Sequence, residues 1–290
     1  MARVEHYAAP RGLKEAARRA AERPATVLAG GTDLMPQIRS GKRALAPSLV
    51  NLRRIAVLRG IRRDGDGVRL GALTTVTEIL GHPLLRQRAA VLVEAADHFA
   101  SVQLRNMATV GGNLCNASPA GDLIIPLLVL GARLELVSWT GTELATRELP
   151  LEDFFVGPGT TRLGPGEILA AIRFPLPPPD FVARFRKFGT RPALDISVVS
   201  VGIGGRRRNG TLEQVRVAFG AVAPVPLCGR RTAAAIDGHP LGPDTTAAAV
   251  SAAAAEIRPI SDVRASAWYR TELIQILTAR LLRDVHHEGH

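Results

Sequence analysis

The chain has 290 residues, 46% of them apolar and 4% aromatic, and its 37 basic and 26 acidic residues leave a formal charge of +11. That length and apolar content can bury a large core and build two or three packed units, whereas two cysteines, Cys115 and Cys228, are too few for a disulfide framework. The longest apolar run, from Leu123, is broken by Pro126, Gly131 and Arg133 before it reaches bilayer length, and the N-terminus has no apolar secretory stretch, so the expected location is the cytoplasm.

The first helix is expected in "RGLKEAARRAAER", directly after Pro10, followed by the strand "ATVLAG" and a second strand, "SLVNL", ending near Leu52. "IRRDGDGVRLGALTTV" reads as a hairpin around its Asp-Gly-Asp-Gly turn. After His82 and Pro83 comes a long helical pattern, "LLRQRAAVLVEAADHFA", then a glycine-rich loop at 109–121. "DLIIPLLVLG" reads as a buried helix with Gly131 as its C-cap, and "RLELVS" as another strand.

Four prolines between Pro175 and Pro179 mark the best boundary. Beyond them "FVARFRKFG", "ISVVSVGIGG" and "LEQVRVAFGAV" predict a three-stranded antiparallel sheet, with Arg206, Arg207 and Arg208 running into an Asn-Gly hairpin turn. Two helices follow, an alanine-rich one at 244–256 and "SAWYRTELIQILTARLLRDV". The expected division is residues 1–176, with subdomains of about 1–56 and 57–176, then 180–285, then a disordered tail at 286–290.

The turn "AGGTDL" after the first predicted strand carries the first chemical signal. Gly30 and Gly31 let the backbone turn sharply and aim successive N–H groups at one point, which makes an anion nest. Thr32 adds a hydroxyl and Asp33 a carboxylate suited to a sugar hydroxyl, although Asp33 equally suits a helix N-cap. A second loop, Arg105 to Leu123, repeats the pattern with Thr109, Gly111, Gly112 and Asn113, and places Asn116, Ser118 and Asp122 before a helix, an arrangement suited to phosphate or ribose. Two such loops in one α/β domain argue for a ligand with several phosphates and hydroxyls between them.

Several ligands are excluded by motif. No G-x-G-x-x-G opens a helix, since "GIGG" at 202–205 runs into the arginine turn, and Gly41-Lys42 is followed by Arg43, which rules out a P-loop. There is no C-x-x-C or H-E-x-x-H, and Cys115 reads as a small residue packed beside a turn. The charge reads as a solvated, Arg-rich surface with a docking face for an acidic subunit; nucleic acid is the competing partner, and few aromatics and dispersed arginines argue against it. Only Lys14, Lys42 and Lys187 are lysines.

Taken together, "AGGTDLMPQIR", "VRLGALTTVTEI", "HPLL", "LVEAADHFASVQLRNMATVGGNLCNASPAGDLIIPLLVLGA", "FFVGPGTT", "GEILAAIRFP" and "RKFGTRPALDIS" span almost the whole chain. In this order and spacing they resemble the FAD-binding medium subunit of molybdenum hydroxylases, the family of xanthine dehydrogenase and carbon monoxide dehydrogenase. The resemblance implies an α+β fold: a p-cresol methylhydroxylase-type FAD-binding domain of two α/β subdomains, plus a C-terminal flavoprotein domain.

It also implies that the pyrophosphate loop spans Leu28, Ala29, Gly30, Gly31, Thr32, Asp33 and Leu34, and that Thr109, Gly112, Asn113, Ser118 and Asp122 contact the cofactor. Phe99 corresponds to an aromatic beside the cofactor, Leu169 to an apolar contact and Lys187 to a basic one. The implied partners are a molybdenum-bearing large subunit and a [2Fe-2S] small subunit, in a dimer of heterotrimers with NAD or another acceptor, and with no metal on this chain. The competing expectation is a free-standing FAD-dependent oxidoreductase of the same fold. Substrate choice would belong to the molybdenum chain; "AGGTDL" does differ from the "AGGHS" of carbon monoxide dehydrogenases.

Overall fold

The computed structural model describes residues 4–191 and 195–287. Its first layer is a parallel sheet in the order β1-β3-β2, formed by β1 (His6–Ala8), β2 (Ala25–Leu28) and β3 (Ser48–Asn51), with α1 (Leu13–Glu22) and α2 (Leu34–Arg39) in the connections. Helix α1 buries Ala16, Ala17 and Ala20. These small side chains let it lie close on a core that also holds Val50, Ile55 and Leu58.

A five-stranded antiparallel sheet follows. It begins with the hairpin β4 (Ile61–Asp64) and β5 (Gly67–Gly71), whose turn carries Gly65 at φ +61. Six helices come next: α3 (Val76–Gly81), α4 (Pro83–Arg88), α5 (Ala90–Asp97), α6 (Val102–Arg105), α7 (Val110–Asn116) and α8 (Ile124–Val129). The sheet is completed by β6 (Arg133–Trp139), β7 (Leu144–Pro150) and, after the small pair β8 (Phe155–Gly157) and β9 (Thr160–Thr161), by β10 (Ile168–Pro175). Its order is β4-β5-β10-β6-β7.

The single long helix expected after Pro83 is two helices, because Ala89 leaves helical geometry at φ −140 and ψ 46. Gly131 does end α8: at φ +67 its N–H reaches the Leu128 carbonyl while Ala132 N–H reaches that of Leu127, the paired bonds of a Schellman turn.

The C-terminal part holds β11 (Phe181–Phe188), β12 (Val199–Arg208), β13 (Thr211–Gly220), β14 (Leu227–Cys228), α9 (Arg230–Ile236), α10 (Pro243–Glu256) and α11 (Ala267–His287). Its antiparallel sheet has four strands rather than three, because the turn after β13 brings Leu227 and Cys228 back beside Phe219 and Ala218. Asn209 and Gly210, at φ +47 and +79, close the β12–β13 hairpin. Of the tail expected at 286–290, His286 and His287 belong to α11, where the Arg207 guanidinium donates to the carbonyls of Val285 and His286, and residues 288–290 lie outside the described residues.

Strand alternation decides how the two parts meet. Val199, Val201, Ile203, Val217 and Phe219 point into a core with Leu273, Ile274, Leu277 and Leu281 of α11. On the opposite face Gly202 and Gly204 leave room for α8: a Cβ on Gly202 would come 3.0 Å from both Ile125 and Val129. The "GIGG" stretch is therefore a packing surface that seats α8, and no dinucleotide turn. No helix among the described residues is long and apolar enough to cross a membrane.

Candidate functional site

A cleft of about 980 Å3 opens between the parallel sheet and the five-stranded sheet, at the upper end of the roughly 300–1,000 Å3 of ligand sites. The turn after β2 forms one wall. Gly31 lies in the left-handed region at φ +75, which glycine adopts without penalty. Gly30 faces the carbonyl of Met107 so closely that a Cβ there would sit 2.1 Å from its oxygen. The Gly31 and Asp33 carbonyls accept from Met35 and Gln37 N–H, whereas among the described residues the amides of Gly30, Gly31, Thr32 and Asp33 donate to no backbone or side-chain acceptor. A run of uncommitted amides facing a cleft is the physical requirement for holding an anion.

The second loop works differently. Its Thr109 caps α7 by accepting from Gly112 N–H at 3.0 Å. Val110 N–H donates to Thr74, Gly111 N–H to Ala72 and Asn113 N–H to Thr109, each at 2.9 Å. The amides of this turn are thus consumed by the protein, and the expectation that both loops present backbone donors is corrected. The cause is steric as well as electrostatic, because Gly111 is pressed against Ala72, whose Cβ and carbonyl oxygen lie 2.7 Å from where a Cβ would be. What the second loop offers is side chains: the Asn113 Oδ1 atom is buried without a hydrogen-bond partner, and Asn113 lines the cleft. Such an atom is costly unless a donor meets it.

The two loops are tied by Gln37 of α2, whose Nε2 donates to Asn116 Oδ1 of α7 at 2.9 Å. Gln37 carried no sequence signal, since its partner is 79 positions away. Asp33 is exposed at its residue surface, yet enclosure of its carboxyl raises its pKa above the ordinary carboxylate value, with Lys42 pulling the other way. It does not serve as a side-chain cap for α2.

Of the residues expected at the site, Ala29, Gly30, Gly31, Thr32, Asp33, Leu34, Phe99, Thr109, Gly112, Asn113 and Leu169 all line this one cleft. Leu28, Ser118, Asp122 and Lys187 do not line it. Leu28 backs the first turn, its Cδ1 3.1 Å from the Cβ position of Gly31. Ser118 Oγ accepts from Ala120 N–H. Lys187 Nζ donates to Asp122 Oδ2 at 2.7 Å and to the Asp195 carbonyl at 3.2 Å, and Ser197 Oγ donates to Asp122 Oδ1. Burial pushes the Asp122 carboxyl above its usual range, against the pull of Lys187, Ser197 and His98.

The far wall, Ala20 to Val27 and Leu163 to Ile168, was not expected. Its polar side chains, Glu22, Arg23, Thr26 and Glu167, are scattered among alanine, glycine and proline at no motif spacing, which left nothing in the sequence to separate these segments from ordinary helix ends and turns.

Cys115 also lines the cleft, and burial pushes its thiol up to about 12, with Arg43 partly opposing. At pH 8 only about one thiol in ten thousand would be ionised. Cys115 is half-buried in the cleft wall, so in the folded chain it is expected to react slowly with a thiolate-directed reagent such as iodoacetamide at pH 8 and faster on unfolding; rapid labelling of the native protein, read by peptide mass, would contradict the raised thiol pKa.

Residues 2–177 match the family described as FAD binding domain in molybdopterin dehydrogenase, and residues 184–285 match the CO dehydrogenase flavoprotein C-terminal domain. The chain is 34% identical over 263 residues to the putative xanthine dehydrogenase FAD-binding subunit of Escherichia coli K12, covering 90% of this chain and 88% of that protein. It is 32% identical to the carbon monoxide dehydrogenase medium chain of Afipia carboxidovorans, over 87% of this chain and 86% of that one. In fold it matches carbon monoxide dehydrogenase from Hydrogenophaga pseudoflava with a TM-score of 0.92 at 29% identity, covering 97% of this chain and 96% of that one. Quinoline 2-oxidoreductase from Pseudomonas putida 86 matches at 0.89 and 26% identity, covering the same shares.

Proposed function

The chain belongs to the family of FAD-binding subunits of molybdopterin dehydrogenases, and from that premise we propose that it is the medium subunit of a multi-subunit molybdenum hydroxylase. In this reading it takes electrons from [2Fe-2S] clusters on a small partner subunit, the substrate being oxidised on a molybdenum-bearing large subunit, and passes them to an external acceptor such as NAD. The complex would be a cytoplasmic dimer of heterotrimers. The +11 charge suits docking against more acidic chains.

The observation that carries the reading is the contrast between the two loops. Free amides at Gly30–Asp33 suit a pyrophosphate, and the orphaned Asn113 Oδ1 suits a hydroxyl donor of the same ligand, so the residues present fit FAD. Thr32 would add a hydroxyl to the phosphate wall and Asp33 would accept from a sugar hydroxyl. Phe99 and Leu169 would supply the apolar contact. Leu28, Ser118, Asp122 and Lys187 would act from behind, holding the loops that touch the cofactor. Bound FAD supplies the electron-carrying chemistry, and the protein supplies placement, field and exclusion of water.

The test is the visible spectrum of the chain after addition of FAD and desalting, beside a Gly31→Asp/Gly112→Asp double variant. Retained flavin bands in the native chain, absent from the variant, are expected; equal retention in both would remove the cofactor from between the loops. Co-purification with two further chains is the expected companion result, and isolation as a flavin-loaded, catalytically competent single chain would defeat the subunit reading.

A further inference from the structure

The C-terminal part grips the second loop at its outer side. Ser197 Oγ donates to Asp122 Oδ1 at 2.7 Å, and Ala221 N–H donates to the Pro119 carbonyl at 2.8 Å. These donors stand at the two ends of the hairpin, Ser197 just before β12 and Ala221 just after β13. Ala221 holds φ +61, a left-handed conformation that alanine adopts only when its surroundings impose it.

One side chain joins both ends. Arg270 of α11 is 3% exposed, and its Nη1 donates to the Val198 carbonyl at 2.5 Å and to the Ala221 carbonyl at 2.9 Å. Its Nη2 donates to Asp262 Oδ1 at 2.8 Å, which balances the buried charge. Ala221 is thus bonded on both sides, through its carbonyl to Arg270 and through its N–H to Pro119. Val198 is the neighbour of Ser197. The planar guanidinium can span two carbonyls and a carboxylate together, and an ammonium on a flexible stem cannot hold all three in that plane.

We propose that Arg270 is a positioning residue for the cofactor cleft: by fixing the carbonyls of Val198 and Ala221 it places the Ser197 and Ala221 donors that hold loop 118–122, and so the outer side of the second loop. The cofactor half of this inference rests on the function proposed above; the loop-holding half rests on the hydrogen bonds alone. A purely local role, tying α11 to the sheet, would leave the loop indifferent to residue 270.

The experiment is hydrogen exchange on the full FAD-free chain, paired with FAD titration by fluorescence, for the native protein, Arg270→Lys, Ser197→Ala and Asp262→Asn. Exchange at Ala120, Gly121 and Ile124 is expected to quicken about tenfold in Arg270→Lys, and the FAD dissociation constant to rise by about the same factor, the equivalent of one buried hydrogen bond. Ser197→Ala should give the same pattern more weakly, and it serves alone if Arg270→Lys does not fold. Asp262→Asn, which removes the counter-ion of Arg270, should loosen 261–267 most and the loop only weakly, less than Arg270→Lys does.

Quickening confined to 258–270, or spread evenly over the C-terminal part, would overturn the inference, as would a loosened loop with unchanged FAD affinity. If the native chain itself binds no FAD, the proposed function fails, and the exchange pattern then decides the loop-holding role by itself.

Discussion

Gly30→Ala is expected to abolish retention of FAD through desalting and to raise its dissociation constant about a hundredfold, the equivalent of roughly 3 kcal/mol. The added Cβ would stand 2.1 Å from the Met107 carbonyl oxygen and 3.0 Å from its carbon. Both are backbone atoms, so no side chain can swing aside, and the turn must move away from the loop before α7. That movement displaces the free amides of Gly30 to Asp33 relative to the cleft, and the loss of two charge-assisted hydrogen bonds of roughly 1.5–3 kcal/mol each would suffice. The fold itself should give up only about 1–3 kcal/mol, as overpacking does. Fluorescence titration with FAD checks the first figure and denaturant unfolding of the FAD-free chain the second. A variant that binds FAD as the native chain does would show that this turn is not the anion site.

Lys187→Met is expected to cost the folded chain about 3–5 kcal/mol near neutral pH, because it leaves a buried carboxylate without its counter-ion. The side chains of Lys187 and Asp122 are each 10% exposed and lie 2.7 Å apart, so solvent screens the pair little. The pH dependence has a definite sign. Burial already raises Asp122, and removal of the lysine raises it further, so the folded variant binds a proton more tightly than the unfolded chain. A carboxyl so shifted costs stability above its folded pKa and ceases to cost it once protonated. The deficit against the native chain should therefore be largest at neutral pH and shrink as the pH falls toward the ordinary carboxylate range. Urea unfolding of both proteins at a series of pH values gives the comparison, and a deficit that grows with acidification would contradict the placement of the pair.

Local stereochemistry carries its message in the sequence itself. Glycine pairs after a strand, a proline run, an Asn-Gly step and Gly131 after an apolar run each require a particular backbone whatever surrounds them, and the first turn, the hairpin and the end of α8 appear where those residues stand. Gly30–Asp33 and Thr109, Gly112 and Asn113, singled out from their residue types, meet in one cleft, whereas Ser118 and Asp122 of the second loop do not line it.

Hydrogen-bond ownership was decided only by the tertiary structure. Gly30–Asp33 and Val110–Asn113 look alike as strings, yet the second set gives its amides to Ala72, Thr74 and Thr109, while the first keeps its own free among the described residues. Lys187 and Asp122 each read as a cofactor contact, and folding brings them together across 65 positions, outside the cleft lining. Whether a polar group faces a ligand or a neighbour depends on which acceptor arrives beside it in three dimensions, and that partner is chosen by packing between distant segments, which residue type and spacing do not encode.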